Sequence, residues 1–174
     1  SSLVFMIPYS LGMAVTVRVG HALGADNPRE ARFASGVGMG AALVYACVSS
    51  SSMLLMREHI AEIYTQDLAV IAVAGSLLIY SAIFQFSDAI QVTAAGALRG
   101  YQDTRIAMLI TLFAYWAIGL PVGYCLGLSD LCGPPSGPVG LWQGLVVGLT
   151  CAAIMLGIRL ARSARRRIRA SQSG

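Results

Sequence analysis

The feature that most constrains this chain is an apolar run over residues 68–98 that contains a single charged side chain, Asp88. A helix rises about 1.5 Å per residue, so a run of this length exceeds the roughly 30 Å hydrocarbon core of a bilayer. Asp88 lies eleven residues before Arg99, about 16 Å from that end and close to the membrane midplane. An ionised, unpaired carboxylate is costly at that depth. We therefore expect Asp88 to face a partner, water or a cavity, or to carry a proton.

Polar side chains share one face of this predicted helix. Four of them recur at spacings of four, three and three, the period of a helical face: Ser81, Gln85, Asp88 and Gln91. One interpretation is a stripe that forms part of an ion pathway, and the other is a structural seam that bonds to a neighbouring helix. An amide would serve a seam at a lower desolvation cost than an acid, so the carboxylate favours the pathway.

The composition indicates an integral membrane protein. Of the 174 residues, 56% are hydrophobic and 11% are charged, whereas a soluble domain carries roughly 25% charged residues. All twelve basic residues are arginines and six of them lie between Arg159 and Arg169, so the net charge of +4 does not indicate a nucleic-acid partner. The four cysteines form no CxxC pair and indicate neither a metal cluster nor a disulfide framework, so we expect no cofactor.

Five apolar segments predict five membrane-spanning helices in one bundle over residues 1–160. They cover about residues 1–17, 33–56, 68–98, 106–129 and 139–158, and a basic tail follows over residues 161–174. Pro8 predicts a kink in the first span, and Gly20 and Gly24 predict breaks in the helix after it. Asn27 is expected to cap the second helix, because Pro28 follows it at the first helical position. Since the chain starts inside a hydrophobic segment without an initiator Met, we expect a piece of a longer polypeptide.

Glycines at four-residue spacing predict places where two helices approach closely, since no side chain separates the backbones. Such sets occur in the second, fourth and fifth spans: Gly36 and Gly40; Gly119, Gly123 and Gly127; and Gly140, Gly144 and Gly148. The fourth span also carries Tyr115 and Trp116. For these aromatic residues we consider ligand contact beside the commoner roles of packing and interface anchoring.

The arginines predict the orientation of the chain. Eleven of the twelve lie in alternate connections and in the tail, whereas the opposite side carries only Arg57. Basic residues are in excess on the cytoplasmic side of membrane proteins, so the tail is expected to be cytoplasmic. The chain then begins outside, crosses five times, and carries Asp88 on a helix that runs inward.

Three stretches of the sequence carry a family pattern: VRVGHALGADNPREAR after the first span, IFQFSDAIQVTAAGALRGYQDTR around Asp88, and YWAIGLPVGYCLG in the fourth span. They resemble the multidrug and toxic compound extrusion (MATE) family, most closely its NorM-type bacterial members. The resemblance runs through nearly all of the chain and maps it onto helices eight to twelve of twelve. It implies an all-α integral membrane fold, in which about five transmembrane helices form most of one six-helix lobe.

The resemblance also implies a function and its residues. Family members export cationic, often aromatic drugs through a central cavity while Na⁺ or H⁺ runs inward, and a bacterial member would lie in the inner membrane. Asp88 matches the family's cation-binding acid and would be the metal ligand if the coupling ion is Na⁺. Phe84 stands where the family pattern has Tyr, which removes a phenolic oxygen and tilts the expectation towards H⁺. Gln85 and Gln91 could supply oxygens for Na⁺ instead. The candidate cavity residues are Ser81, Phe84, Tyr115 and Trp116.

Three other functions compete with multidrug efflux. A lipid-precursor flippase of the same superfamily would be expected to have cationic groups in its cavity, yet no Arg or Lys lies inside a predicted span. A membrane-embedded enzyme would need a second catalytic group at the depth of Asp88, and none is recognisable, so we expect no enzyme. A structural subunit could be held by the glycine faces alone. The partners expected for a transporter are the bilayer, cationic drugs and the remaining helices of the same protein.

Overall fold

The computed structural model describes residues 2–56, 59, 63, 68–129 and 137–174. The elements it describes are all helical, which confirms the all-α fold class. They are α1 (Ser2–Gly24), α2 (Pro28–Leu55), α3 (Leu68–Gly100), α4 (Thr104–Phe113), a π-helical segment (Ala114–Gly119), α5 (Leu120–Gly127) and α6 (Pro138–Gln172). Four stretches are long and apolar enough to cross a membrane: Pro28–Leu55, Leu68–Gly100, Thr104–Gly127 and Pro138–Gln172. Arg57 and most of the predicted connections over residues 57–67 and 130–138 lie outside the described residues.

The connection between α1 and α2 is shorter than the glycines suggest. α1 continues through Gly20 and ends at Gly24, so the predicted break at Gly20 is wrong. A glycine costs a helix interior only about 1 kcal/mol, and the fully buried Val19 beside it secures α1 against its neighbours. Asn27 caps α2 as predicted, because its side-chain oxygen accepts a hydrogen bond from the Glu30 N–H at 3.3 Å.

Pro121 shapes the helix that carries Tyr115 and Trp116. Proline lacks a backbone N–H, and its ring collides with the carbonyl four residues earlier in a regular α-helix. Here a π turn over Ala114–Gly119 precedes it, and the Leu120 N–H bonds to the carbonyl of Tyr115 five residues back. The extra residue in this turn rotates its side chains away from the positions that a regular α-helix would give them.

Two facing rows of glycine join α6 to the helix formed by the π segment and α5. The rows run antiparallel and pair as follows: Gly119 with Gly148, Gly123 with Gly144, and Gly127 with Gly140. A methyl group on Gly148 would lie 2.8 Å from the Cα of Gly119, and one on Gly144 would overlap the backbone of Gly123. The predicted close approach is confirmed for both rows.

The predicted glycine contact on α2 is wrong. Methyl groups built on Gly36 and Gly40 meet nothing within 4 Å among the described residues, whereas one on Gly38 would overlap Val15 of α1. The contact face of α2 is offset from the predicted one, as its buried residues show: Ala31, Ser35, Gly38, Ala42, Ala46 and Ser50.

α3 is the central helix, because it contacts α1, α2, α4 and α6. Its arginine-rich end is tied to α6 through Asp103, whose carboxylate accepts hydrogen bonds from Arg159 at 2.7 Å and from Ser163 at 3.0 Å. The basic segment predicted as a tail is continuous with the fifth span, since α6 extends without a break to Gln172.

Candidate functional site

Asp88 occupies the middle of α3, on a face that the described helices only partly cover. On one side of this face Val92 contacts Gly12 of α1, and on the other side Gln91 contacts the π segment. The Asp88 side chain is partly exposed. It forms no hydrogen bond or ion pair with any residue that the structure describes. The acid is therefore directed towards space in which the described residues provide no counter-charge.

Gln91 and Tyr115 are the two predicted site residues that the structure brings to Asp88. Gln91 follows Asp88 by three residues, so the two side chains are neighbours on one helical face. The Tyr115 hydroxyl donates a hydrogen bond to the Gln91 Oε1 atom at 3.0 Å. A carboxylate, an amide and a phenol, contributed by two helices, thus converge in this part of the bundle.

Other predicted site residues turn towards neighbouring helices. The Gln85 amide donates to the Met53 sulfur on α2 at 2.9 Å, while its Oε1 atom is buried without a hydrogen bond within the described part of the chain. The Phe84 ring packs edge-on against Trp142 of α6, with 5.9 Å between the ring centroids. Ser81 lies partly buried one turn before Gln85.

A polar seam between α3 and α6 was missed by the sequence analysis. The Gln143 amide donates to the Tyr80 hydroxyl at 2.6 Å, and the hydroxyls of Ser87 and Thr150 are 2.9 Å apart. Both helices advance by seven residues between the two pairs, which is two helical turns. This shared spacing was the available signal. This seam uses Tyr80 and Ser87 of α3, which are not members of the stripe that contains Asp88 and Gln91.

A groove of about 580 Å³ runs from the site towards the arginine-rich end of the bundle. Its walls come from α3, α4 and the π segment, and its polar lining residues are Arg99, Thr104, Arg105, Thr111, Tyr115 and Trp116. The Trp116 side chain is 68% exposed, so it offers a flat aromatic surface beside the site. Two of the four candidate cavity residues, Tyr115 and Trp116, therefore line one groove, whereas Phe84 packs on α6.

The chemistry of the site suits a hard monovalent cation or a proton. Na⁺ prefers oxygen ligands, and Asp88, Gln91 and Tyr115 carry oxygens of three kinds. Within the described residues, no three His, Cys, Asp or Glu side chains cluster as they would around a transition metal. A cation bound here would therefore rely on the single charge of Asp88 and on neutral oxygens.

Comparison with known proteins identifies the class to which this bundle belongs. Residues 1–125 match the family model described as MatE, and the chain belongs to the MATE family. It is 76% identical over 169 residues to multidrug resistance protein PmpM of Pseudomonas aeruginosa, covering 97% of this chain and 35% of the relative. It is 51% identical over 160 residues to multidrug resistance protein NorM of Photobacterium profundum, covering 92% of this chain and 35% of the relative.

The fold is also that of solved transporters. A crystal structure of the eukaryotic MATE transporter AtDTX14 matches with a TM-score of 0.82 at 26% identity, covering 98% of this chain and 38% of that one. The inward-facing conformation of a multidrug resistance MATE family transporter matches with a TM-score of 0.75, at 18% identity, over 98% of this chain and 38% of that one. The chain thus spans about a third of the length of the relatives it matches.

Proposed function

We propose that this chain is the C-terminal part of a secondary antiporter that exports cationic, often aromatic drugs in exchange for inward Na⁺ or H⁺. The observation that carries the proposal is Asp88, a mid-membrane carboxylate on the central helix, partly exposed and without a charged partner among the described residues. Such an acid is costly unless a cation, a proton or a substrate neutralises it. The relatives' names, which specify multidrug resistance, agree with this function.

Coupling follows from competition for the one acid. Asp88 supplies a single negative charge, so a bound cation or proton weakens the attraction of the site for a cationic drug. By thermodynamic linkage, the drug weakens cation binding to the same extent. A protein that alternates between inward and outward access could then exchange one for the other. The proposed cation-site residues are Asp88, Gln85 and Gln91. Of the two glutamines, Gln91 has the position that better supports this role.

The proposed setting is the inner membrane of a bacterium, with the C-terminus in the cytoplasm. The fold supports this orientation, because Asp103 bonds to Arg159 and thereby groups the arginines after α3 with those of α6. Positive charge in cytoplasmic connections is the usual arrangement. Drug binding would involve the groove beside Tyr115 and Trp116 together with the remaining helices of the whole protein.

The experiment uses the full-length protein in proteoliposomes. Drug efflux is measured with only a Na⁺ gradient and then with only a pH gradient, for wild type and for Asp88→Asn. Wild type should respond to at least one gradient, and Asp88→Asn should abolish that response while the protein still folds. Ser87→Ala, one residue away but in the α3–α6 seam, is the matched control and should keep coupled efflux. A folded Asp88→Asn variant with wild-type coupling would return Asp88 to a structural role.

A further inference from the structure

One hydrogen bond at the site has no role yet in the proposed function: the bond that joins the π segment to Gln91 of α3. A glutamine amide presents an acceptor oxygen at one end and a donor NH₂ group at the other, and it can rotate by half a turn unless a partner holds it. The Tyr115 hydroxyl donates to the Oε1 atom at 3.0 Å. This bond therefore holds the Gln91 amide in place, one helical turn from Asp88.

The position of Tyr115 depends on the π turn. Tyr115 is the second residue of the π-helical segment, and its own carbonyl accepts the bond from Leu120 that defines the wider turn. Pro121 follows at once and cannot donate a backbone hydrogen bond. Single π turns inside α-helices frequently mark functional positions, because the extra residue redirects the neighbouring side chains. Here the redirected hydroxyl reaches Gln91, one helical turn from Asp88.

We propose that Tyr115 is a positioning residue for the cation site: its hydroxyl fixes the Gln91 amide beside Asp88, and thereby tunes the affinity for the coupling ion and not that for the drug. The inference rests on the proposed function and changes the role of Tyr115, which the sequence analysis considered only as a cavity residue. Trp116, exposed in the groove, keeps the role of a surface for aromatic drugs.

The test compares Tyr115→Phe with Tyr124→Phe in the full-length protein. Both variants lose one phenolic oxygen from the same long helix, but the Tyr124 side chain is 60% exposed on the outer surface of the described bundle. In proteoliposomes, we measure the cation concentration that gives half-maximal efflux and, separately, the KM for the drug. The net contribution of a neutral hydrogen bond corresponds to about a two- to ten-fold change in a binding constant. Tyr115→Phe should therefore raise the half-maximal cation concentration by that factor without raising the drug KM, because weaker cation binding reduces competition with the drug, whereas Tyr124→Phe should change neither.

A second readout requires no transport. Cation binding stabilises the folded protein, so the Tm of purified protein should rise with added coupling ion. If the ion is Na⁺, NaCl is compared with choline chloride at equal ionic strength; if it is H⁺, a pH series is used. Tyr115→Phe should displace this response to higher cation concentration. Gln91→Leu, which removes the amide oxygen as well as the bond, should cause a displacement at least as large, and adding Tyr115→Phe to it should have little further effect, because the bond is already lost.

The outcomes separate this inference from the proposed function. Coupled efflux in Asp88→Asn would refute the proposed function itself. If Asp88→Asn is uncoupled while Tyr115→Phe shows the wild-type cation requirement, only the positioning role is refuted. A higher drug KM with an unchanged cation requirement would also refute it and assign Tyr115 to the drug surface. Additive effects of Tyr115→Phe and Gln91→Leu would show that the two residues act independently. Should Tyr115→Phe fail to fold, Tyr115→Met, which also lacks the hydroxyl but keeps apolar bulk, tests the same bond.

Discussion

The paired glycine rows between α5 and α6 give an asymmetric prediction, although both rows have the same spacing. A methyl group added to Gly123 would have Gly144 Cα and Leu141 O as its nearest atoms, each at 3.7 Å. A methyl group added to Gly144 would overlap the Cα and N atoms of Gly123 and lie 3.0 Å from the carbonyl oxygen of Gly119. Both sites belong to one contact, but only the second substitution forces the two backbones apart.

The expected magnitude follows from two opposing contributions. Replacing glycine by alanine in a helix interior gains about 1 kcal/mol of helix propensity at either position. Overpacking of a tight contact costs about 1–3 kcal/mol. Since the propensity gain cancels in the comparison, Gly144→Ala should be less stable than Gly123→Ala by about 1–3 kcal/mol. Gly123→Ala itself should be as stable as wild type or slightly more stable.

The assay is reversible unfolding of the full-length protein in mixed micelles of increasing SDS fraction, followed by helical circular dichroism. Gly157→Ala on α6 is the control, because a methyl group there meets nothing within 4 Å among the described residues. Equal stability of Gly144→Ala and Gly123→Ala, or a greater loss for Gly123→Ala, would refute the packing argument. Such a result would mean that the two helices are not in backbone contact at this crossing.

Two further predictions concern the ends of the helices. Hydrogen bonding to Arg159, with a smaller contribution from Ser163, holds the pKa of Asp103 below its usual value. This contact therefore stabilises the fold at pH values above the ordinary aspartate pKa, and the stabilisation is lost as the pH falls through the lowered pKa. Asp103→Asn should therefore lower the free energy of unfolding by up to about 1 kcal/mol at pH 7 and by nothing once the pH is below both pKa values; an equal loss at both pH values would contradict the ion pair. Cys132 lies outside the described residues, and the arginine distribution predicts that it faces the outer side of the membrane. As the only cysteine retained in the full-length protein, it should react with a membrane-impermeant thiol reagent in intact spheroplasts, and labelling only after lysis would show that the orientation is reversed.

The features that were predictable from the sequence depend on one helix or on a strict repeat. The cap at Asn27 is local, since the side chain bonds to a residue three positions away in its own chain. The glycine rows on α5 and α6 were predictable because no competing row of small residues exists at those crossings. On α2, by contrast, Gly36 and Gly40 compete with Gly38, Ala42 and Ala46, which also recur every four residues. Contact with Val15 of α1 decides between the two rows, and a pattern within α2 contains no information about that partner.

The residues of the candidate site show the same limit of prediction from a pattern within one helix. The stripe from Ser81 to Gln91 was visible as a period, but a period does not tell which long side chain reaches which neighbour. Gln85 is only one helical turn from Asp88, yet its amide donates to Met53 on α2. Gln91 is held by Tyr115, whose direction depends on the π turn that precedes Pro121. Tertiary contact thus directs Gln85 and Gln91 of one stripe to two different helices.

The packing around α3 explains why a binding event at Asp88 has to involve more than this helix. On one side, the Thr16 hydroxyl donates to the Gly96 carbonyl at 2.7 Å, in a crossing too close for any side chain at Gly96. On the α6 side, two polar pairs, Tyr80 with Gln143 and Ser87 with Thr150, together restrain the rotation of α3 about its own axis.

α3 therefore cannot turn Asp88 away from the membrane interior without breaking contacts on two faces. The cost of the buried charge has to be offset at the site, by an ion, a proton, a drug or the remaining helices. What can differ between two conformational states is then the group that partners Asp88, or the position of the whole bundle moving as one body. A central helix held on two faces, whose acid has no charged partner among the described residues, fits the proposed exchange, because the charge can be offset by a change of bound cation without a rearrangement of the helix itself.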